Sequence, residues 1–363
     1  VVVRIVADDL TGALDTAAPF AAAMGPFPVF WDLATRRSGS YALDTETREQ
    51  SDDRYDWVAH LDDVELPFKK IDSLLRGRTA QEILACLERG AFPSAIIAPA
   101  FPAQERITRN GRQHWRAASS EPWQPVACDL LTALRERLPI RHAASAAMLA
   151  GSGWFLCDAE SEDDLRAVVE AGKSMAQPVL WCGSAGLART LAGPPRSDTA
   201  FPPRAPILIL IGSQHSVSRA QHEAIEAHRP GMVTGLASTE RGTLETAIAK
   251  VAEAIAWNTS SVLAMDLPAG AADAARQVLD ATFELITTRM SRPGCLFVTG
   301  GETLFGLLRA LDATSLLATG ELMPGVPLSR IAGGRWHDLQ VISKSGGFGA
   351  PDLLIRLAES VMP

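Results

Sequence analysis

The chain opens on a short apolar run, Val1-Val2-Val3 and Ile5-Val6, that gives way to Asp8-Asp9 and then to an alanine-rich segment reaching Met24. β-Branched residues in so short a run, ended by two acids, predict a strand buried on both faces of a parallel sheet. The segment opened by Thr11-Gly12 reads as a helix. The alternation then repeats. Residues 28–31, 41–43, 64–68, 94–98, 154–157 and 179–182 read as strands. Helical spacing covers 79–89, with Gly90 as its stop, 130–138, and 162–175 behind the cap Ser161. In the second half, strands are predicted at 207–211, 261–265, 295–298 and 339–342. Helices are predicted from Ser216, near 271–290, over 303–311 and from Pro351.

Between the halves lies GPPRSDTAFPPRAP, residues 193–206, with five prolines and no periodicity, which reads as a linker. The expected architecture is therefore α/β: two α/β domains, 1–192 and 207–363, with largely parallel sheets and an interdomain active-site cleft. Ligands of such sheets collect at the carboxyl ends of the strands, so the polar residues after each apolar run are the candidates for chemistry.

In the first half those residues are the carboxylates Asp9 and Asp72, the cations Arg48, Lys70 and Arg76, and the polar groups Ser73, Gln104 and Asn110. Asp8 and Asp9 leave the first strand toward opposite sides. One is expected in the crevice and the other on backbone amides at the helix start. Cations that hold a carboxylate, acceptors that orient hydroxyls and an acid that takes a proton suit a hydroxy-acid ligand. Out of context, Lys70, Asp72 and Arg76 read more readily as a solvated charged turn. The second half places glycine between strand and helix at Gly212-Ser213, at Thr299-Gly300-Gly301-Glu302-Thr303 and at Lys344-Ser345-Gly346-Gly347. Unobstructed amides at the positive end of a helix suit phosphate. Neither GxxxxGK[ST] nor GxGxxG occurs, so no Walker or dinucleotide fingerprint is present.

Composition narrows the partners. A net charge of −8 argues against nucleic acid and acidic membrane surfaces, and no apolar run approaches the ~20 residues that span a bilayer. Small molecules are the expected ligands. Five cysteines without a CxxC pair read as reduced core residues and a cytoplasmic setting. The pattern leaves a homo-oligomer open.

ADDLTGALD (7–15), DTETR (44–48), KKIDSLLRG (69–77), APAFPAQ (98–104), NGRQ (110–113), GSAGLA (183–188), TGGET (299–303) and KSGGFG (344–349) resemble, in order and spacing, the motifs of the four-carbon acid sugar kinase family. The resemblance implies an N-terminal domain for a four-carbon sugar acid (threonate, erythronate or a 3-oxo-tetronate) and a C-terminal domain for ATP. Phosphate would pass to the terminal C4 hydroxyl, with Mg²⁺ bridging the ATP phosphates. By motif, Asp9, Arg48, Lys70, Ile71, Asp72 and Ser73 would contact substrate, joined in our reading by Arg76 and Gln104. Ser213, Gly300, Gly301, Glu302, Thr303, Gly346 and Gly347 would contact nucleotide. Asp9 would accept or orient the hydroxyl proton, Asp72 is the alternative base, and Arg48 with Lys70 would hold the substrate carboxylate at the far end. The metal ligands are unassigned. Two positions depart from the family pattern: Glu105 stands where glycine usually follows AFPAQ, and His215 where a small hydroxyl residue is common. The competing readings are an ATP-independent aldolase or isomerase acting on a sugar-acid phosphate, and a non-catalytic sugar-acid binder.

Overall fold

The computed structural model describes residues 1–34, 37–48, 55–89, 92–196, 202–236, 240–265 and 272–360. Gly90 and residues 197–201 of the expected linker lie outside them. The chain divides into two units, 1–197 and 198–363.

In the first unit the strands are β1 (Val3–Ala7), β2 (Phe27–Phe30), β3 (Tyr41–Asp44), β4 (Leu66–Lys70), β5 (Ser94–Ala98), β6 (Arg106–Arg109), β7 (Arg112–Trp115), β8 (Gln124–Pro125), β9 (Arg141–Ala143), β10 (Gly153–Cys157) and β11 (Val179–Gly183). The helices are α1 (Leu10–Met24), α2 (Thr79–Glu88), α3 (Leu130–Arg135), α4 (Glu162–Lys173) and α5 (Ala185–Ala192). The main sheet runs β2-β3-β1-β4-β11-β5-β10-β9, with every described pair parallel. β1, β5 and β11 are buried along their whole length, as continuous apolar runs require.

Strand β4 departs from the sequence reading. It was expected over 64–68, ending before the lysines, yet it runs through Lys69 and Lys70. Hydropathy misplaces the end because Lys69 is fully buried, its ammonium 2.8 Å from the Glu82 carboxylate of α2. The stretch after β5 forms a separate antiparallel sheet, β6-β7-β8. Its first turn is Asn110-Gly111, both at positive φ (53° and 74°), the conformation that a two-residue hairpin needs.

The second unit contains β12 (Ile207–Ile211), β13 (Val233–Leu236), β14 (Ser261–Met265), β15 (Cys295–Thr299), β16 (Ser315–Met323), β17 (Val326–Ala332) and β18 (Gln340–Lys344). Its helices are α6 (Ser216–His228), α7 (Arg241–Ala256), α8 (Ala272–Arg289), α9 (Gly301–Ala310) and α10 (Leu353–Glu359). The order is β13-β14-β12-β15-β18-β17-β16, parallel as far as β18 and antiparallel beyond it. The β16–β17 hairpin is absent from the sequence reading. Register shifts at Ala318/Gly320 and Glu321/Met323 break the two-residue alternation that would have announced it.

Two sets of neighbouring strands follow from these orders. β3, β1 and β4 release Arg48, Asp8-Asp9 and Lys70-Asp72 from adjacent carboxyl ends. β12, β15 and β18 do the same for the three glycine turns.

Candidate active site

Asp9 precedes α1 with extended backbone (φ −149°, ψ 160°) and caps it, Oδ1 accepting from the Gly12 amide at 2.8 Å. Oδ2 accepts from Thr11 Oγ1 at 2.6 Å and from Arg48 Nη1 at 2.5 Å. Arg48 also grips Asp8 from two sides, Nε to Oδ2 at 2.8 Å and Nη2 to Oδ1 at 2.9 Å, while Nη2 stands 3.7 Å from Asp72 Oδ1. One guanidinium thus serves three carboxylates. Burial pushes the Asp8 carboxyl upward, but Arg48, Lys69 and Lys70 outweigh it and hold the group below the usual range. Burial likewise opposes the Arg48 charge, yet Asp8, Asp9 and Asp72 raise its pKa well above normal.

Of the two acids, Asp9 is the one tied to the helix start, as expected of one member of the pair, and Arg48 engages both carboxylates. Arg48, expected to hold a substrate carboxylate, is here bonded to Asp9.

Asp72 closes the turn after β4. Its Oδ2 accepts from the amides of Leu74 (3.2 Å) and Arg76 (3.1 Å) and from Arg76 Nε (2.8 Å), and its Oδ1 from Arg76 Nη2 (2.7 Å). Burial works upward, but the Arg76 hydrogen bonds and the charge of Arg48 hold this carboxyl far below its usual range. The solvated-turn reading fails for Lys70 and Asp72, which are buried, as is Ser73; Arg76 is half exposed. Gly77, at φ 72°, ends this segment against Arg48. A Cβ there would lie 3.3 Å from Arg48 Cγ and 3.4 Å from its carbonyl oxygen.

The remaining expected residues have different surroundings. The Ile71 amide donates to the Gly183 carbonyl at 3.0 Å and its side chain joins the core. The Ser73 carbonyl accepts from Gln113 Nε2 at 2.8 Å. Gln104 lies on a short 3-10 turn, its carbonyl taking a hydrogen bond from Arg106 Nη1. Buried Arg106 was not anticipated. Burial lowers its pKa to about 10, and it senses the charges of Asp72 and Arg76. The Asn110 amide donates to Asp158 Oδ2 at 2.8 Å. Glu105 adopts φ 58°, a conformation that explains glycine as the usual residue there, and its carboxylate is held by Arg116 Nε and Ser119 Oγ, each at 2.6 Å.

A buried polar layer supports Arg48, and the sequence reading missed it. Glu82 takes the Lys69 ammonium on one oxygen and the Thr47 hydroxyl on the other. Thr47 pairs with Thr45 (2.8 Å), whose hydroxyl reaches the Ala7 carbonyl at 2.9 Å. The available signal was a glutamate four residues before the buried Cys86 on an otherwise apolar helix face.

In the second unit the three glycine turns converge. The Gly212 amide donates to the Thr299 carbonyl (3.3 Å), and the Gly300 amide to the Lys344 carbonyl (3.1 Å). A Cβ on Gly212 would collide with Thr303 Oγ1, and one on Gly346 with Ser213 Oγ. Ser213, Thr303 and Gly346 therefore meet at one place, with His215 against Gly346 and Gly347. His215 Nδ1 caps α6 by accepting from the Val217 amide at 3.2 Å, the task a small hydroxyl would perform. Helix α9 starts at Gly301, and its first residues include Glu302, exposed, and Thr303, buried. Lys344 is fully buried, donating to the Ser345 carbonyl at 3.1 Å and lying 3.4 Å from the Gly346 carbonyl and 3.5 Å from Ser218 Oγ; burial lowers its pKa to about 7.

Comparison with known proteins follows the same division. The model of a sugar-binding N-terminal domain matches residues 3–127 and 113–191, and that of a nucleotide-binding C-terminal domain matches 208–354. A D-threonate kinase of Cupriavidus necator is 30% identical over 95% of this chain and 94% of its own. A D-threonate kinase of Bordetella bronchiseptica is 29% identical over 99% and 97%. In fold, the chain is similar to a crystal structure from Salmonella typhimurium LT2 described as a tRNA synthase, with a TM-score of 0.74 at 19% identity over 99% of each chain. On these matches, which together run from residue 3 to residue 354, the chain belongs to the four-carbon acid sugar kinase family.

Proposed function

We propose that this protein is an ATP-dependent kinase that phosphorylates the C4 hydroxyl of a four-carbon sugar acid, with D-threonate as the first candidate. The observation that carries this reading is the convergence of Ser213, Thr303 and Gly346 beyond the carboxyl ends of neighbouring strands, a cradle with no room for a Cβ at Gly212 or Gly346. Phosphoryl transfer depends chiefly on positioning and charge neutralisation, and such a cradle supplies both. Ser213, Gly300 with the amides of Gly301 to Thr303, and Gly346 with Gly347 would hold the ATP phosphates. Mg²⁺, carried on those phosphates, would neutralise the charge that develops during transfer. Among the described residues no group of three or more His, Cys, Asp or Glu side chains could hold a metal by itself.

In the first unit Lys70 would take the substrate carboxylate, while Arg48 holds Asp8 and Asp9 in place for the hydroxyls and lies 3.7 Å from Asp72. Asp9 is the favoured proton acceptor. Asp72 carries Arg76 on both oxygens and is held far below the usual range, which makes it a poor base. The choice of D-threonate rests on the two relatives above, each of which aligns with nearly the whole chain.

The test is ADP release with MgATP across D- and L-threonate, D- and L-erythronate, 3-oxo-tetronates and D-glycerate. Release that depends on one four-carbon acid supports the proposal and identifies its substrate. ATP binding without acid-dependent release anywhere on the panel would reject the substrate class.

A further inference from the structure

Lys70 ends β4 with its side chain 5% exposed, and among the described residues its ammonium donates no hydrogen bond. Among the described residues the carboxylate oxygen paired with it is Asp15 Oδ1, at 3.9 Å. A Cβ on Gly12 would lie 3.1 Å from Lys70 Nζ, so the ammonium rests over the first turn of α1. Asp15 stands three residues on from Gly12, on the same helix face. A pair at this distance attracts but leaves the ammonium's hydrogen-bonding capacity unused, ready for a second anion.

We propose that Asp15 and the substrate carboxylate compete for the Lys70 ammonium, so that the sugar acid binds the form in which Asp15 is protonated and brings one proton in with it. The inference rests on Lys70 as a ligand of the acid. No bond of the substrate changes: the proton passes from solvent to an Asp15 carboxylate oxygen as the acid docks.

Several ionisable groups lie on the elements packed against α1: Arg4 on β1, Tyr41 and Asp44 on β3, Lys69 and Lys70 on β4, and Arg189 on α5. Of these, Lys70 is the one of opposite charge within 4 Å of Asp15 among the described residues. Asp9 and Arg48 act on it from farther away, and Thr16 Oγ1 donates to its Oδ1 at 3.1 Å. Burial pushes the Asp15 carboxyl up to about 7, with Lys70 pulling it back. Above that pH Asp15 ionises and claims Lys70. Affinity for the acid then falls as pH rises, by at most about tenfold per pH unit for one proton.

The experiment is calorimetric titration of the full-length protein with D-threonate, or with whichever four-carbon acid supports ADP release. It is run without nucleotide from about pH 5.5 to 8.5 in buffers of differing ionisation enthalpy. The wild type should lose affinity toward tenfold per unit above pH 7 and take up about one proton per acid bound near pH 8. Asp15→Asn, and Asp15→Ala as a second variant, should bind with a flat pH profile and no proton uptake, with ATP affinity unchanged. A wild-type slope retained in both variants, or a flat wild-type profile, would overturn the proposal. Lys70→Met separates the two levels. Normal acid binding by Lys70→Met defeats the reading of Lys70 itself, whereas weak binding by Lys70→Met with an unchanged slope in Asp15→Asn defeats the competition alone.

Discussion

Arg48 meets Asp8 through two parallel hydrogen bonds of 2.8 and 2.9 Å, and the same guanidinium reaches Asp9 at 2.5 Å. A lysine at this position presents one charged nitrogen and cannot reproduce that fork. Arg48→Lys should therefore cost stability as well as activity, because Asp8 is left buried with a poorer partner. We expect a loss of about 2 to 4 kcal/mol in thermal or denaturant unfolding and at least about a tenfold fall in kcat/KM for the sugar acid. Unchanged values on both counts would remove Arg48 from the centre of the site.

Asp9 both caps α1 and is the favoured proton acceptor, and one substitution separates these roles. Asparagine caps a helix about as well as aspartate. Asp9→Asn should keep its melting temperature and ATP affinity while turnover falls by orders of magnitude. Turnover near the wild-type value would shift the role to Asp72, despite the arginines that hold it ionised.

The Glu82–Lys69 pair is buried on both sides, and Glu82 also holds the Thr47 hydroxyl, one residue before Arg48. Glu82→Gln leaves the Lys69 charge without a counter-ion and should destabilise the fold by about 3 to 5 kcal/mol. Thr47→Val is milder, about 1 kcal/mol, and should raise KM for the sugar acid more than it lowers kcat. Thr47→Ser should restore KM. Equal kinetics for the valine and serine variants would mean that the hydroxyl does not position Arg48.

In the second unit, burial lowers the Lys344 pKa to about 7, below its unfolded value. The unfolded chain therefore holds this proton more tightly across the alkaline range. Stability is lost as pH falls from the unfolded pKa toward 7 and levels off below it. Lys344→Met abolishes that dependence. Its stability relative to wild type should rise on acidification from about pH 9.5 to 7, by an amount on the order of 3 kcal/mol. Parallel melting curves across that range would contradict the buried-ammonium account.

Most of the sheet was legible from the sequence, because buried parallel strands are unbroken apolar runs: β1, β5, β12 and β15 were expected within a residue or two of their observed limits. The failures have physical causes. β4 was ended early because Lys69 and Lys70 look like solvent-facing residues, and the Glu82 carboxylate on α2 makes Lys69 a core residue. The β16–β17 hairpin was missed because bulges interrupt its alternation. In the site, the motifs named Asp9, Arg48, Lys70 and Asp72. Their pairing could not be read from sequence, since Asp8 and Arg48 are forty residues apart and meet only because β1 and β3 are neighbours. Asp15 carries no local pattern that distinguishes it from an ordinary helix residue, and the signals around Glu82 and Lys344, an apolar helix face and a glycine turn, do not by themselves announce that both are buried.

The most direct test of the central claim is to identify the product formed when the protein is incubated with MgATP and D-threonate, by phosphorus and carbon NMR. A single phosphate ester on C4, formed in step with ADP, is the result this account predicts. An ester on another carbon would contradict the assignment of the reacting hydroxyl, and ADP released without any phosphorylated acid would contradict the kinase itself.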